Sequence, residues 1–404
     1  MRTSIPMRAV GASLRTLGLG AATLACLVLE STCAAPQHAA HVSPVPLAMA
    51  PCPHPTGDDD PANGASGRAA IVIVLDGARW QEIFLGVDPA LARKAGAPAS
   101  SLGAPMPHLR ALAAARGVAL GAPGSGGEVR ASGPNFVSLP GYTELFTGRA
   151  PSSCQSNDCA RTTLPTVADD VRACAGSARD VAVFASWPEI ERAATSRPSS
   201  IVVSTGRHLV AGEPILREDP ARAALLDAGA AAGAWPGDGD FRPDTLTAAL
   251  ATRYLATERP RFLFVGLGEA DEYAHRGDYV GYLGALRTAD DAIDAIVRTL
   301  DGMGERGRRT SVFVTADHGR AAGFREHGGD FPESARVWLV GINGGIAART
   351  AGAHDGDLRL ADLAPTVRAS VGLLSLHKRG GVSEGEGRVI DALLPADAPV
   401  SAYR

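Results

Sequence analysis

The feature that most constrains the fold is a recurrence of short apolar runs separated by helical patterns. The runs are "AAIVIVLDG" from residue 69, "DVAVFASW" (180–187), "RFLFVGLGEAD" (261–271), "RTSVFVTADHG" (309–319) and "ARVWLVGI" (335–342). Apolar residues in a continuous run indicate strands that are covered on both faces. Helical patterns such as "YVGYLGALRTADDAIDAIVRTLDG" lie between them. This order predicts an α/β fold, a three-layer sandwich with a mainly parallel central sheet and helices on both faces.

Three of these predicted strands end in acidic residues, namely Asp76, Asp271 and Asp317. Ligands of open α/β sheets bind beyond the carboxyl ends of the strands. Carboxylates gathered at one edge repel each other unless a cation lies among them. Each acid taken singly is explained equally well as a helix cap or turn former. Taken together, they predict a cation site at this edge.

Histidines near the same strand ends complete a metal-ligand set. Asp271 and His275 are four residues apart, a spacing that brings two side chains together on one turn of helix. His318 follows Asp317 directly, and His327 precedes two glycines, which allow close backbone approach. A lone His327 would otherwise be interpreted as a surface histidine. Imidazole nitrogen and carboxylate oxygen are ligands of zinc, so these residues predict a divalent metal centre.

A nucleophile is predicted in "SGPNFVSLPGYTELFTGRAP", where Ser138 precedes Pro140. The segment "PGYTELFTG" favours a helix whose amino terminus would face the serine and whose dipole would stabilise negative charge there. A cation nearby would bind the serine oxyanion. The alternative is that Ser138 is an ordinary helix cap.

The ordered motifs resemble the alkaline phosphatase superfamily, and most closely its nucleotide pyrophosphatase/phosphodiesterase-type branch. These motifs are Asp-Gly after the first strand, Ser-x-Pro, D-x-x-x-H, D-H-G and a final H-G, and the resemblance covers about residues 70–390. It implies two divalent ions of zinc type. The first would be held by Asp271, His275 and His327, and the second by Asp76, Asp317, His318 and the Ser138 oxygen.

The resemblance also implies a reaction. Ser138 would form a phosphoseryl intermediate that water then hydrolyses. An asparagine that steadies a phosphoryl oxygen is expected at Asn157, with Asn135 as a weaker candidate. A phosphate-gripping arginine has no clear counterpart, although Arg161 is conceivable.

The residues around the nucleophile depart from this branch. Ser138 to Tyr142 almost match the sulfatase signature of Cys or Ser, x, Pro, x, Arg, but Tyr142 stands where the arginine belongs. Sulfatases of that kind use one calcium ion and lack the second ligand trio. The sequence therefore predicts a phosphoesterase acting on small-molecule phosphate mono- or diesters. Hydrolysis of a sulfate ester or phosphonate, or a mutase reaction, is the alternative; a non-catalytic metal-binding protein is the alternative from another class.

The remaining sequence predicts an exported chain. Residues 1–35 have the basic start, apolar core and small-residue end of a signal peptide, residues 36–68 form a flexible linker, and 69–404 form the catalytic domain. The Ala- and Gly-rich tract at about 205–240 is interpreted as an insertion that caps the site. We expect a periplasmic or secreted protein, with membrane association only through an uncleaved signal or a lipid anchor.

The net charge and the cysteines limit the possible partners and disulfide bonds. A net charge of −4 without a basic run argues against a nucleic acid polymer as partner. In an exported chain the cysteines are expected in disulfides, with Cys154 paired to Cys159 or Cys174. The pairing and the oligomeric state are not set by the sequence.

Overall fold

The computed structural model describes residues 67–348, 356–373 and 385–395. The predicted signal peptide and the predicted linker up to residue 66 lie outside these residues, as do Cys33 and Cys52. Across the described ranges, no helix has both the length and the apolar character needed to cross a bilayer.

The strands carry the predicted apolar runs and several shorter segments. They are β1 (Ala69–Leu75), β2 (Gly117–Leu120), β3 (Val129–Arg130), β4 (Val181–Ala185), β5 (Val202–Thr205), β6 (His208–Ala211), β7 (Phe262–Leu267), β8 (Thr310–Thr315), β9 (Arg336–Val337), β10 (Leu339–Asn343) and β11 (Leu358–Arg359).

The central sheet has eight strands in the order β2-β10-β8-β1-β7-β4-β5-β6. Neighbours from β8 to β5 are parallel, whereas β10 and β6 run antiparallel to the strands beside them. A small second sheet has the order β11-β3-β9. The predicted α/β fold with a mainly parallel central sheet is confirmed.

Helices flank the central sheet. They are α1 (Trp80–Phe84), α2 (Pro89–Lys94), α3 (Pro107–Arg116), α4 (Ser138–Thr147), α5 (Val167–Ala173), α6 (Ile190–Ala194), α7 (Glu213–Arg217), α8 (Pro220–Ala231), α9 (Asp244–Glu258), α10 (Glu269–His275), α11 (Tyr279–Asp301), α12 (Glu305–Arg308) and α13 (Leu363–Ser370). On one face pack α3, α9 and α11; on the other pack α4, α5, α6 and α13.

The sequence explains this layering locally. All seven residues of β1 are buried, as a continuous apolar run in a sheet covered on both faces requires. In α11 the buried residues recur at helical spacing, for example Tyr282, Leu286 and Ile293, while Asp291 is exposed. The apolar stripe of α11 therefore packs on the sheet and its acidic face meets solvent.

One detail differs from the sequence-based expectation. The predicted strand 335–342 is two strands in different sheets. The buried Trp338 lies between them and donates its indole N–H to the carbonyl of Ala78 at 2.9 Å. The tract at about 205–240 begins by forming β6, the antiparallel edge of the central sheet, and continues through α7 and α8.

Candidate metal centre

Three neighbouring parallel strands position the predicted ligands. Asp76 directly follows β1, and Asp317 and His318 lie just beyond the end of β8. β7 leads into α10, where Asp271 and His275 share one face of the helix. Because β8, β1 and β7 are adjacent, these side chains meet at one edge of the sheet.

The residues predicted for the first ion lie together. One Asp271 oxygen, Oδ2, is 3.0 Å from Nε2 of His275, whose Nε2 is also 3.0 Å from Nε2 of His327. Nε2 of His327 lies 3.9 Å from Oδ1 of Asp271. Ligand atoms of Asp271, His327 and His318 also lie within 4.8 Å of one another, so His318 borders this group.

The residues predicted for the second ion form an adjoining, fully buried group. Ligand atoms of Asp76, Asp317 and His318 lie within 4.8 Å of one another. His318 Nε2 is 3.4 Å from Oδ1 of Asp76 and 3.5 Å from Oδ2 of Asp317. That Oδ2 atom is buried and has no hydrogen-bond partner in the described structure. A buried carboxylate oxygen without a donor is costly unless a cation binds it, so this group fits a divalent ion.

Hydrogen bonds orient two of the histidines for ligation. Nδ1 of His318 contacts the carbonyl of Gly319 at 2.9 Å, and Nδ1 of His327 contacts the carbonyl of Phe136 at 2.9 Å. A carbonyl can only accept, so each Nδ1 carries a proton, and in the neutral ring each Nε2 presents a lone pair to the site. Such contacts through the second ring nitrogen are typical of metal-binding histidines.

The two buried carboxylates of the second group require a positive charge beside them. Burial raises the pKa of Asp317 well above its usual value, and the Asp76 carboxylate raises it further. Burial opposes protonation of His318, but the carboxylates of Asp317 and Asp76 outweigh it and raise its pKa to about 9. Without a metal, a proton on His318 balances the carboxylates; a divalent cation would replace that proton.

In the first group a guanidinium supplies the balancing charge. Burial would raise the pKa of Asp271, but Arg320, which forms an ion pair with its Oδ1, and His275 hold it well below the usual range. Burial and the nearby His318 lower the pKa of His327 to about 3. His327 is therefore neutral and able to act as a ligand at any pH near neutrality.

The predicted nucleophile lies beside both groups. Ser138 is the first residue of α4, and its Oγ is 3.3 Å from Nε2 of His318 and 3.4 Å from Oδ1 of Asp76. Val137 occupies the capping position, and no side-chain capping bond is made there. Ser138 is thus not a helix cap, contrary to the alternative interpretation of the sequence.

The three residues predicted to assist the nucleophile or bind phosphate differ in their distance from the site. Asn157 lies beside the nucleophile, where its Oδ1 accepts a hydrogen bond from the N–H of Leu139 at 2.9 Å. Asn135 bridges two loops, since it donates to the carbonyl of Gln155 and accepts from the N–H of Gly329, both at 2.7 Å. The guanidinium of Arg161 is engaged by the carbonyls of Glu191 and Thr195 and by the Glu191 carboxylate, and its described contacts include none of the predicted ligands.

A disulfide closes the loop that carries Asn157. Cys154 is bonded to Cys159, which is one of the two pairings left open by the sequence. The short cross-linked loop restricts the backbone around Asn157 and so holds its side chain near the start of α4.

Three further residues belong to the site but were missed from the sequence. Tyr142 donates its hydroxyl to Oδ2 of Asp76 at 3.0 Å. Arg320 pairs with Asp271, and Gly77 donates its N–H to Oδ1 of Asp317 at 3.1 Å. A signal existed for Tyr142, which is four residues after Ser138 and therefore on the same helix face.

A comparison with protein-family models bears on the metal centre. The sequence model described as the Metalloenzyme superfamily matches residues 240–365, a segment that includes Asp271, His275, Asp317, His318 and His327. A metalloenzyme family implies divalent metal binding, while the identity of the metal is not shown. No curated protein matches the chain.

Solved structures resemble the fold at low sequence identity. A putative sulfatase from Bacteroides thetaiotaomicron has a TM-score of 0.51 and 13% identity, with 79% of this chain and 74% of that chain covered. A 2-O GAG sulfatase has a TM-score of 0.48 and 13% identity, with 78% and 73% covered. A protein in the alkaline phosphatase superfamily from Vibrio parahaemolyticus has a TM-score of 0.47 and 13% identity, with 76% and 66% covered.

At this identity, the structural likeness concerns the fold and not the substrate. The family match over residues 240–365 agrees with the resemblance to the alkaline phosphatase superfamily, whereas the nucleotide pyrophosphatase/phosphodiesterase-type branch remains a prediction.

Proposed function

We propose that the chain is an exported, metal-dependent phosphoesterase that hydrolyses phosphate mono- or diesters through a phosphoserine at Ser138. The observation that carries the proposal is the place of the Ser138 hydroxyl. It lies 3.3 Å from His318 and 3.4 Å from Asp76, at the amino terminus of α4 and beside a second ligand group.

The two ligand groups divide the metal-binding roles. In this proposal the ions are zinc. Bound there, they would supply charge that favours the serine oxyanion and neutralises the phosphoryl group. Asp271, His275 and His327 would hold one, and Asp76, Asp317, His318 and Ser138 the other.

The chain's own residues would carry the covalent steps. The Ser138 oxygen loses its proton and bonds to phosphorus, while the bond between phosphorus and the ester oxygen breaks and the leaving alcohol takes up a proton. Water then attacks phosphorus, releases phosphate or a monoester, and restores the Ser138 hydroxyl. The backbone N–H of Ser138 and the side-chain NH2 of Asn157 would orient the phosphoryl oxygens, because Pro140 has no N–H and those of Leu139 and Gly141 are donated to Asn157 and Val137.

Sulfate ester or phosphonate hydrolysis is the second candidate, because Ser138 to Tyr142 nearly match the sulfatase signature. Two observations favour phosphate. Tyr142, in the place of the signature arginine, is fully buried and bound to Asp76. The trio of Asp271, His275 and His327, which a one-metal sulfatase would lack, lies together: Nε2 of His275 is 3.0 Å from both Oδ2 of Asp271 and Nε2 of His327.

One assay panel tests the proposal. Mature protein is given an aryl phosphate monoester, a bis-aryl phosphate diester and an aryl sulfate with the same phenol leaving group, with and without a chelator. We expect phosphate ester hydrolysis that chelation abolishes and zinc restores. Sulfate hydrolysis alone would replace the proposal with the second candidate. Undiminished turnover after thorough metal removal would contradict both.

The variant Ser138→Ala separates an enzyme from a non-catalytic metal-binding protein. A phosphoesterase loses turnover in this variant, whereas a binding protein keeps every measurable property. Export and a small-molecule substrate are likewise proposals. Cell fractionation tests the first, and a catalytic domain confined to the cytoplasm would contradict it.

A further inference from the structure

We propose that Tyr142 is a positioning residue for the second ion: its hydroxyl holds Asp76 so that Oδ1 faces Ser138 and His318. This inference deepens the proposed function and rests on the same metal centre. No motif in the sequence assigns a role to Tyr142, and its residue type departs from the sulfatase signature that the segment nearly matches.

The hydroxyl of Tyr142 is held in a fixed place. The residue is completely buried, and its hydroxyl donates to Oδ2 of Asp76 at 3.0 Å. Its ring lies edge-on to Phe264 at a centroid distance of 6.2 Å and tilted against Trp187 at 6.4 Å. These contacts leave the ring little freedom, so the direction of the hydroxyl is fixed by packing.

One helix contacts both oxygens of Asp76. Ser138 and Tyr142 are four residues apart on α4, and they meet Oδ1 at 3.4 Å and Oδ2 at 3.0 Å respectively. The carboxylate cannot rotate without breaking the Tyr142 hydrogen bond. The nucleophile and the ligand therefore keep one relative position.

The same helix, α4, also packs directly against the backbone of Asp317. A Cβ added at Gly141 would lie 3.0 Å from the carbonyl carbon of Asp317. Only glycine at position 141 therefore allows α4 to approach this backbone so closely. Gly141 and Tyr142 are consecutive. Together they bind α4 to the two strand ends that supply Asp317 and Asp76.

Tyr142 is the donor in its contact with Asp76, because an ionised carboxylate can only accept. The hydroxyl therefore occupies Oδ2, which leaves Oδ1 to the ion. Partners of this kind typically change metal affinity by about 10- to 100-fold when they are removed.

The test compares Tyr142→Phe with Tyr254→Phe. Tyr254 is also completely buried, and its hydroxyl donates a hydrogen bond to the carbonyl of Arg179 at 2.8 Å. Arg179 precedes β4, at the edge of the sheet opposite the strand ends that carry the metal ligands. Both variants keep the ring and lose one hydroxyl. Zinc affinity is measured by competition with a chromophoric chelator, and the visible spectrum is recorded after loading with cobalt.

We expect Tyr142→Phe to weaken one of two zinc equivalents by about 10- to 100-fold and to change the cobalt spectrum of that equivalent only. Tyr254→Phe should leave both unchanged. If Tyr142→Phe binds zinc like the wild type, or if both variants lose affinity equally, the inference is wrong. A wild type that hydrolyses no ester but shows this affinity pattern would refute the proposed function and leave the role of Tyr142 standing.

Discussion

The backbone N–H of Gly77 donates a 3.1 Å hydrogen bond to Oδ1 of Asp317, although the two residues are 240 positions apart in the chain. Gly77 follows the ligand Asp76 and has a φ of +58°, a conformation that favours glycine. A Cβ at this position would collide with Oδ1 of Asp271 and lie 2.6 Å from Nη1 of Arg320. Gly77 therefore contacts residues of both ligand groups at once.

We predict that Gly77→Ala disrupts both metal sites. The added methyl group must displace the pair of Asp271 and Arg320, and the positive φ costs a further 1 kcal/mol or so. Metal content should fall below one equivalent per chain. Gly96→Ala is the matched control, because Gly96 has a φ of +74° but no atom within 4 Å of the added Cβ. Equal metal content in the two variants would contradict this account of Gly77.

Ser138→Ala should lower turnover of a phosphate ester by about a thousandfold or more, because the attacking oxygen is removed. The fold should persist, since Ser138 makes no capping bond in α4. Ser101→Ala, at an exposed serine, should leave turnover unchanged. Comparable activity of Ser138→Ala and wild type in steady-state assays would show that another group attacks the substrate.

The metal-free protein should lose stability as pH rises from about 6.5 to 9. The pKa of His318 is raised from 6.5 to about 9 in the folded state, and that of Asp317 is also raised. A raised folded-state pKa stabilises the fold below the unfolded-state value, and this contribution disappears as pH rises through the folded-state value. For His318 it is on the order of 3 kcal/mol.

Thermal unfolding with and without chelator measures this effect. Bound ions would replace the protons, so the gap in melting temperature between zinc-loaded and chelated protein should widen from pH 6.5 to 9. A gap that narrows over this range would contradict the charge balance inferred for the buried group.

The two ions should bind with unequal affinity. Asp76, Asp317 and His318 are almost completely buried and include two carboxylates. In the other group, the charge of Asp271 is already offset by Arg320, and the side chain of His275 is 41% exposed. Zinc titrated into chelated protein should bind in two steps at least tenfold apart, and Asp76→Ala should remove the tighter one. Loss of the tighter step in Asp271→Ala would reverse the assignment.

The sheet edge could be predicted from sequence because its signals are local. Continuous apolar runs such as 69–75 and 310–315 indicate buried parallel strands, and acids directly after them fall at one edge. β2 and β5 were missed because four-residue apolar segments are too short to distinguish from turns or helix ends.

The charge balance of the site could not be predicted in the same way. Arg320 and Asp271 are 49 positions apart in the chain. Arg320 follows β8 and Asp271 lies in α10, which follows β7, and no sequence spacing predicts a contact between two such segments. The contact between Gly77 and Asp317 depends on the order of strands in the sheet, which the sequence does not state. The geometry around the six predicted ligands and the nucleophile Ser138 agrees with the motifs, while their roles in metal binding and catalysis remain predictions.

The most direct test of the central claim is the metal content of the purified protein, measured by inductively coupled plasma mass spectrometry on wild type, Asp76→Ala and Asp271→Ala. A two-ion centre built by these residues predicts about two equivalents of a divalent metal in the wild type and about one in each variant. A wild type without stoichiometric metal, or variants that both retain two equivalents, would contradict it.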